Sequence, residues 1–209
     1  VTRSQPDGTR LRRTRSDGQA TRRRILDAAT EEFARYGIAG ARVDNIAANA
    51  GANKARIYAY YGSKEALFDA VLADNVAAIV DAAPLDAGDL PGYAVALYNA
   101  YLANPLWLRL ATWTRLERRP TGTLFPDCPA LDAPKLAAIA EQQQTGRISD
   151  DYTPGEIHDL VIALSLAWAP TSVTTAAGPD DTKKEHDQRR TALRKAVTHA
   201  FLPAPTASP

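Results

Sequence analysis

GANKARIYAYYGSKEALF, residues 51–68, decides the fold. It opens on Gly51, sets Asn53 two residues on, and runs through Lys54, Arg56 and three tyrosines (Tyr58, Tyr60 and Tyr61) to Gly62. Asn53 is a good N-cap and Gly62 a good stop, so the stretch predicts a helix over 54–60. A helix that short is not stable alone in water. The preceding segment VDNIAANA, residues 43–50, places Val43, Ile46, Ala47 and Ala50 on one face. Gly51 allows a positive φ between the two. Two short helices joined by such a turn make a helix-turn-helix, although any compact α-hairpin gives a similar pattern. In this reading Ala47 and Ala50 let the helices cross closely, Ile46 and Ile57 pack beneath the crossing, and Tyr61 closes the lower end of the core.

The rest of the chain surrounds that motif with helices. Upstream, Ile25, Leu26, Ala29, Phe33 and Ala34 share one face of a helix over 21–37, which Gly37 ends. Residues 1–20 are polar and Arg-rich and read as a flexible arm. Downstream, Ser63 caps a helix from about Lys64 to Ala83, with Glu65 in its first turn, where the helix dipole favours an acid. Further helices are expected near 90–103, 105–119, 131–147, 154–177 and 181–202, separated by Pro and Gly clusters. No alternating strand of useful length occurs. The fold class is therefore all-α: an N-terminal three-helix helix-turn-helix domain, then a helical bundle, then a disordered tail over 203–209.

Charge divides the chain in the same place. Residues 1–65 carry 13 Lys+Arg against 7 Asp+Glu, and residues 66–209 carry 12 against 17. A basic front and an acidic back suggest a front that meets a polyanion, nucleic acid first among them; a solvated basic tail gives the same numbers. The single cysteine, Cys128, allows no internal disulfide. No apolar run reaches membrane-spanning length. The chain reads as cytoplasmic with no membrane partner. The three histidines, His158, His186 and His199, lack metal-ligand spacing, and no phosphate loop or nucleophile elbow occurs. No enzyme activity, cofactor or metal is expected.

The residues of the 43–68 segment resemble the N-terminal signature of the TetR family of bacterial transcriptional regulators. The resemblance lies in Ile46-Ala47, Ala50-Gly51, Ile57-Tyr58, Tyr60-Tyr61 and Ser63-Lys64-Glu65 leading to Leu67-Phe68, with ILDAATEEFARYGIAGARV before them. It implies that Lys54, Ala55 and Arg56 enter a DNA major groove, with Arg56 suited to guanine O6 and N7. It implies phosphate contacts from Tyr58, Tyr60 and Lys64. Because Ala55 is small, base reading also leans on Asp44. Arg42 stands where a Thr or Ser often caps the second helix, so a cap is lost and a phosphate ligand is offered. The arginines at 10, 12, 13 and 15 either follow the DNA backbone or stay solvated.

The resemblance further implies domains over 21–65 for DNA binding and 66–202 for effector binding and dimerisation. Tyr98, Tyr101, Trp107, Leu110, Trp113, Phe125 and Trp168, with Glu117 beside them, are the candidate ligand-binding residues; a plain hydrophobic core is the other reading. Acids at Glu117, Asp127 or Glu156 would suit a flat, hydrophobic, even cationic effector. Leu160, Leu164, Leu193, Val197, Ala200 and Phe201 are the candidate dimer interface. The expected partners are a double-stranded DNA operator, a small-molecule effector and a second copy of the chain. The alternative is an architectural DNA-binding protein without a ligand.

Overall fold

The computed structural model describes residues 8–124, 132–178 and 180–203, with side chains from residue 17 onward. Phe125, Asp127 and Cys128 lie outside the described residues, as do the side chains of Arg10, Arg12, Arg13 and Arg15. Among the described residues there are nine α-helices and no strand: α1 (Gly8–Gly40), α2 (Val43–Asn49), α3 (Lys54–Tyr61), α4 (Lys64–Ala82), α5 (Leu90–Ala103), α6 (Pro105–Glu117), α7 (Ala133–Gln144), α8 (Pro154–Ser165) and α9 (Lys183–Phe201). They form two compact units. One comprises residues up to Asn75 together with Arg109–Arg118, the other Val76–Leu108 and the chain from Arg119 on. Helices α4 and α6 are thus each shared along their length.

The first unit is a three-helix core closed by α4. Ile25, Ala29 and Phe33 of α1 are fully buried with Ile46 of α2, and Ile57 of α3 is buried with them. Phe33 meets Phe68 of α4 edge to face, ring centroids 5.2 Å apart. Each Ile or Phe side chain removed from water stabilises the unit by roughly 1.5–3 kcal/mol, which the short α2 and α3 need. Gly51 takes φ 60° in the turn, as its position requires. Helix α1 differs from expectation at its start: the backbone is helical from Gly8, within the segment read as a flexible arm.

Gly37 interrupts α1 with φ 71° and ψ −175°, and one more turn follows to Gly40. The break removes the bond that Ile38 N–H would make to the Ala34 carbonyl. Helix α6 replaces both halves of it. Glu117 Oε2 accepts from Ile38 N at 2.9 Å and Ala39 N at 3.0 Å. Arg109 Nε at 2.8 Å and Trp113 Nε1 at 3.2 Å donate to the Ala34 oxygen.

In the second unit α5 is the central helix. Leu90, Ala94 and Leu97 are buried, as are Ile157 and Val161 of α8 and Leu193, Val197 and Phe201 of α9. Both α8 and α9 start in capping boxes, Thr153 with Glu156 and Thr182 with Glu185. Helix α8 stops at Ser165, not near 177. Pro170 cannot supply the N–H a continuing helix needs, and Thr171, Val173, Thr174 and Thr175 are β-branched. The segment beyond turns back on itself, with Ala177 N donating to Trp168 O at 2.8 Å. No helix of the described residues is long and apolar enough to cross a membrane.

Candidate nucleic-acid interface and ligand cavity

Helix α3 is held from one side and open on the other. Asn53 Oδ1 accepts from Arg56 N at 2.7 Å, the cap its position predicts. Ile57 points into the core, while Lys54, Ala55, Arg56 and Tyr58 are exposed, Tyr58 at 38%. Lys54 Nζ lies 3.1 Å from Asp44 Oδ2, an ion pair that ties α2 to α3 across the turn. Both partners are largely exposed, so solvent screens the pair and its contribution to stability is small.

Arg42 makes no side-chain cap, and the start of α2 is braced from another helix instead. Glu32 of α1, buried to 7% exposure, accepts from Arg42 N at 2.9 Å and Asn45 Nδ2 at 3.1 Å. At the other end of α2, Arg24 Nε donates to Ala50 O at 3.1 Å. Sequence reasoning missed both, because each partner comes from a different helix.

The expected phosphate residues divide. Lys64 Nζ sits 3.3 Å from the Ala41 carbonyl and 3.4 Å from that of Ala39, so the ammonium caps the C-terminal end of α1 while remaining half-exposed. Tyr60 is half-buried, with Arg22 Cζ 4.9 Å and Arg56 Cζ 5.9 Å from its ring centre. Tyr61 is half-buried against α1, its hydroxyl 3.4 Å from Arg22 O, and burial raises its phenol above the usual range.

The second unit contains a cavity of about 280 Å³. Tyr98, Tyr101 and Trp168 line it, three of the eight expected residues, together with Leu102, Leu108 and His186. Tyr98 and Trp168 pack edge to face at 6.1 Å, and the Tyr98 hydroxyl lies 2.8 Å from His186 Nδ1. Burial pushes the Tyr101 phenol far above its ordinary value, so it stays a neutral hydroxyl. Asp181 of the returning loop pairs with Arg189 and accepts from Gly178 N at 2.9 Å, pinning Gly178 at the cavity wall.

Four of the remaining ligand candidates lie elsewhere. Leu110, Trp113 and Glu117 belong to the first unit, where Trp113 and Glu117 complete the broken turn of α1. Trp107 is buried without lining the cavity. The periodicity of α6 groups these residues on a stripe but does not say what the stripe faces. Glu156 is spent on the cap of α8, where the Thr153 backbone and hydroxyl hold its carboxyl below the usual range. The dimer stripe needs a similar correction. Leu193, Val197 and Phe201 are at most 2% exposed within the single chain, because α9 packs its apolar stripe inward. Leu160 and Ala200 are exposed, Leu160 at 42%, and Leu164 is half-exposed.

Comparison with known proteins agrees with this architecture. Residues 25–71 match the family described as bacterial regulatory proteins, tetR family, and residues 89–199 match the tetracyclin repressor-like C-terminal domain. The HTH-type transcriptional repressor SCO4008 of Streptomyces coelicolor is 40% identical over 155 residues, 73% of this chain and 80% of that protein. The HTH-type transcriptional repressor NicS of Pseudomonas putida is 46% identical over 52 residues, 25% of this chain and 24% of that one. The crystal structure of SCO4942, a transcriptional regulator from Streptomyces coelicolor, superposes with TM-score 0.72 and 39% identity, covering 88% of this chain and 99% of that one. GusR of Salmonella enterica shares the fold with TM-score 0.66 at 19% identity, over 86% and 94% of the two chains. With its helix-turn-helix, its helical second unit and both family matches in register, the chain belongs to the TetR family of bacterial transcriptional regulators.

Proposed function

We propose that the chain is a homodimeric repressor that binds a palindromic operator through α3 and leaves it when a small hydrophobic compound fills the second-unit cavity. The observation that carries the DNA reading is the exposed face of α3, where Lys54, Arg56 and Tyr58 stand clear of a fully packed core. Arg56 supplies the bidentate donor that guanine selects. A dimer would set two such helices about 34–36 Å apart, one turn of DNA. Its interface would use Leu160 and Leu164 of α8 and the stripe Ala192, Ala196 and Ala200 on α9, all three of which are exposed. Small side chains at i, i+4 and i+8 let a partner helix approach closely.

The cavity supports the effector reading. Engineered apolar cavities of about 150 Å³ admit benzene; at about 280 Å³ this one suits a compound of about two rings. Of the acids expected beside it, Glu117 and Glu156 are engaged elsewhere, and no carboxylate lines it among the described residues. Hydrophobic contact with Tyr98, Tyr101 and Trp168 therefore carries the ligand reading, and a cation would have only the ring faces to replace its water.

Selection of bound fragments from genomic DNA, followed by footprinting, tests the operator reading: a protected palindrome is expected, lost on adding a ligand. Tryptophan quenching by 2-naphthol and by N-methylquinolinium, which differ in charge more than in size, tests the cavity. Quenching by neither removes the effector and leaves an architectural DNA-binding protein.

A further inference from the structure

Three consecutive arginines of α1, Arg22, Arg23 and Arg24, are exposed. Two are committed. Arg23 pairs with Asp27 at 2.6 Å and Asp74 at 2.8 Å, and Arg24 holds the carbonyl of Ala50, just past the end of α2. Arg22 has no carboxylate partner among the described residues; its guanidinium rests on the ring of Tyr60 at 4.9 Å. Arg56, also without a carboxylate partner, rests on the same ring at 5.9 Å. Two exposed cations are thus gathered on one tyrosine, neither paired with an acid among the described residues. Each gains from the ring quadrupole, yet they repel each other, and an anion placed beside them relieves that repulsion.

We propose that Tyr60 is a positioning residue that works through its ring face, holding Arg22 for a backbone phosphate and Arg56 for a base edge. The proposal rests on the reading above that α3 enters the major groove. It assigns to Arg22, a residue of α1, one phosphate contact per half-site. It also changes what Tyr60 contributes: the aromatic surface, not the phenol oxygen. The two arginines come from different helices, and the shared ring fixes the distance between a phosphate-bound and a base-bound guanidinium. Phosphate contacts set register and base contacts set sequence, so this pairing joins the two tasks at one side chain.

The experiment is a fluorescence-anisotropy titration of the full chain with a duplex carrying the palindrome it selects, and with single-base-pair variants, from about 50 to 200 mM salt. Arg22→Ala is expected to reduce the slope of log K against log salt by about 0.9 per half-site, with base preference unchanged. Arg22→Lys should keep most of that slope. Tyr60→Phe should match the wild type in slope and preference. Tyr60→Leu should lose slope as Arg22→Ala does and relax preference at the base pair that Arg56→Ala relaxes. Circular dichroism of each variant separates these effects from unfolding. An unchanged slope in Arg22→Ala overturns the phosphate contact. Equal losses in Tyr60→Phe and Tyr60→Leu overturn the ring role and assign it to the hydroxyl. If Arg56→Ala leaves base preference intact while Arg22→Ala lowers the slope, the base-reading assignment fails and the phosphate contact stands. If the wild type selects no sequence at all, the operator reading fails and takes this proposal with it.

Discussion

Arg42 has no side-chain oxygen with which to cap α2, and Glu32 of a different helix braces the start of α2 instead. The carboxylate is nearly inaccessible to water and accepts two bonds from the α2 start. Glu32→Ala would leave those donors without a partner and should lower the unfolding free energy by about 1–3 kcal/mol in urea titration. Glu32→Gln keeps an acceptor oxygen in place and should lose less. The cap at Asn53 was legible in the sequence because donor and acceptor lie three residues apart; Glu32 and Arg42 are ten apart and meet only once α1 and α2 are packed. Lys64 shows the same limit. The family signature marks it for phosphate, while the fold also seats its ammonium on two carbonyls at the C-terminal end of α1. Lys64→Ala should therefore weaken binding to all sequences alike and reduce the salt slope by about 0.9 per half-site, with a small loss of thermal stability alongside. Arg56→Ala should cost about 1–3 kcal/mol at one base pair and leave stability unchanged, measured by binding to operator variants and by thermal melting.

At the scale of elements, the break in α1 is where sequence and structure part most usefully. Gly37 was legible as a stop, since only glycine sits comfortably at its φ and ψ. What fills the gap was not. Periodicity places Leu110, Trp113 and Glu117 on one face of α6, but a stripe is the same pattern whether it borders a ligand or another helix. Trp113 and Glu117 take up the hydrogen-bonding groups that the break frees. A Cβ on Gly37 would lie 2.8 Å from Trp113 Cε3 and closer still to the Glu117 carboxylate. Gly37→Ala combines backbone strain with overpacking and should destabilise the chain by about 2–4 kcal/mol, read by thermal unfolding. The helix ends tell a milder story. α7 stops at Gln144 because Gly146 takes φ 70° just beyond it, and α8 stops at Ser165 ahead of Pro170. Both breakers, Gly146 and Pro170, stood in the sequence.

For the molecule as a whole, stability should depend on pH through His158. This side chain of α8 is buried, and its Nε2 has no hydrogen-bond partner among the described residues. Burial, helped by Lys135 and opposed by Asp132 and Asp159, holds its pKa below the ordinary 6.5. Above that value the imidazole is neutral folded or unfolded. As pH falls through it, the unfolded chain takes a proton that the folded one refuses, so stability declines until the folded pKa is passed. The decline is at most about 1.4 kcal/mol per pH unit, and His158→Leu should flatten it in denaturant titrations at several pH values. The carboxylates held below their usual range at Asp181 and Glu185 act in a separate, more acidic window. Charge and motif place a boundary near residue 65, whereas the first compact unit runs to Asn75 and takes in Arg109–Arg118; nothing in the sequence of α6 marks Arg109 as a boundary. The sharing of α6 has a genetic consequence. In a reporter strain, lesions at Pro105 or Leu108, on the cavity wall, should leave the gene silent when inducer is added. Lesions at Arg109, Trp113 or Glu117, a turn or two further on, should leave it switched on throughout. One short helix would then yield two opposite mutant classes, sorted by position along thirteen residues.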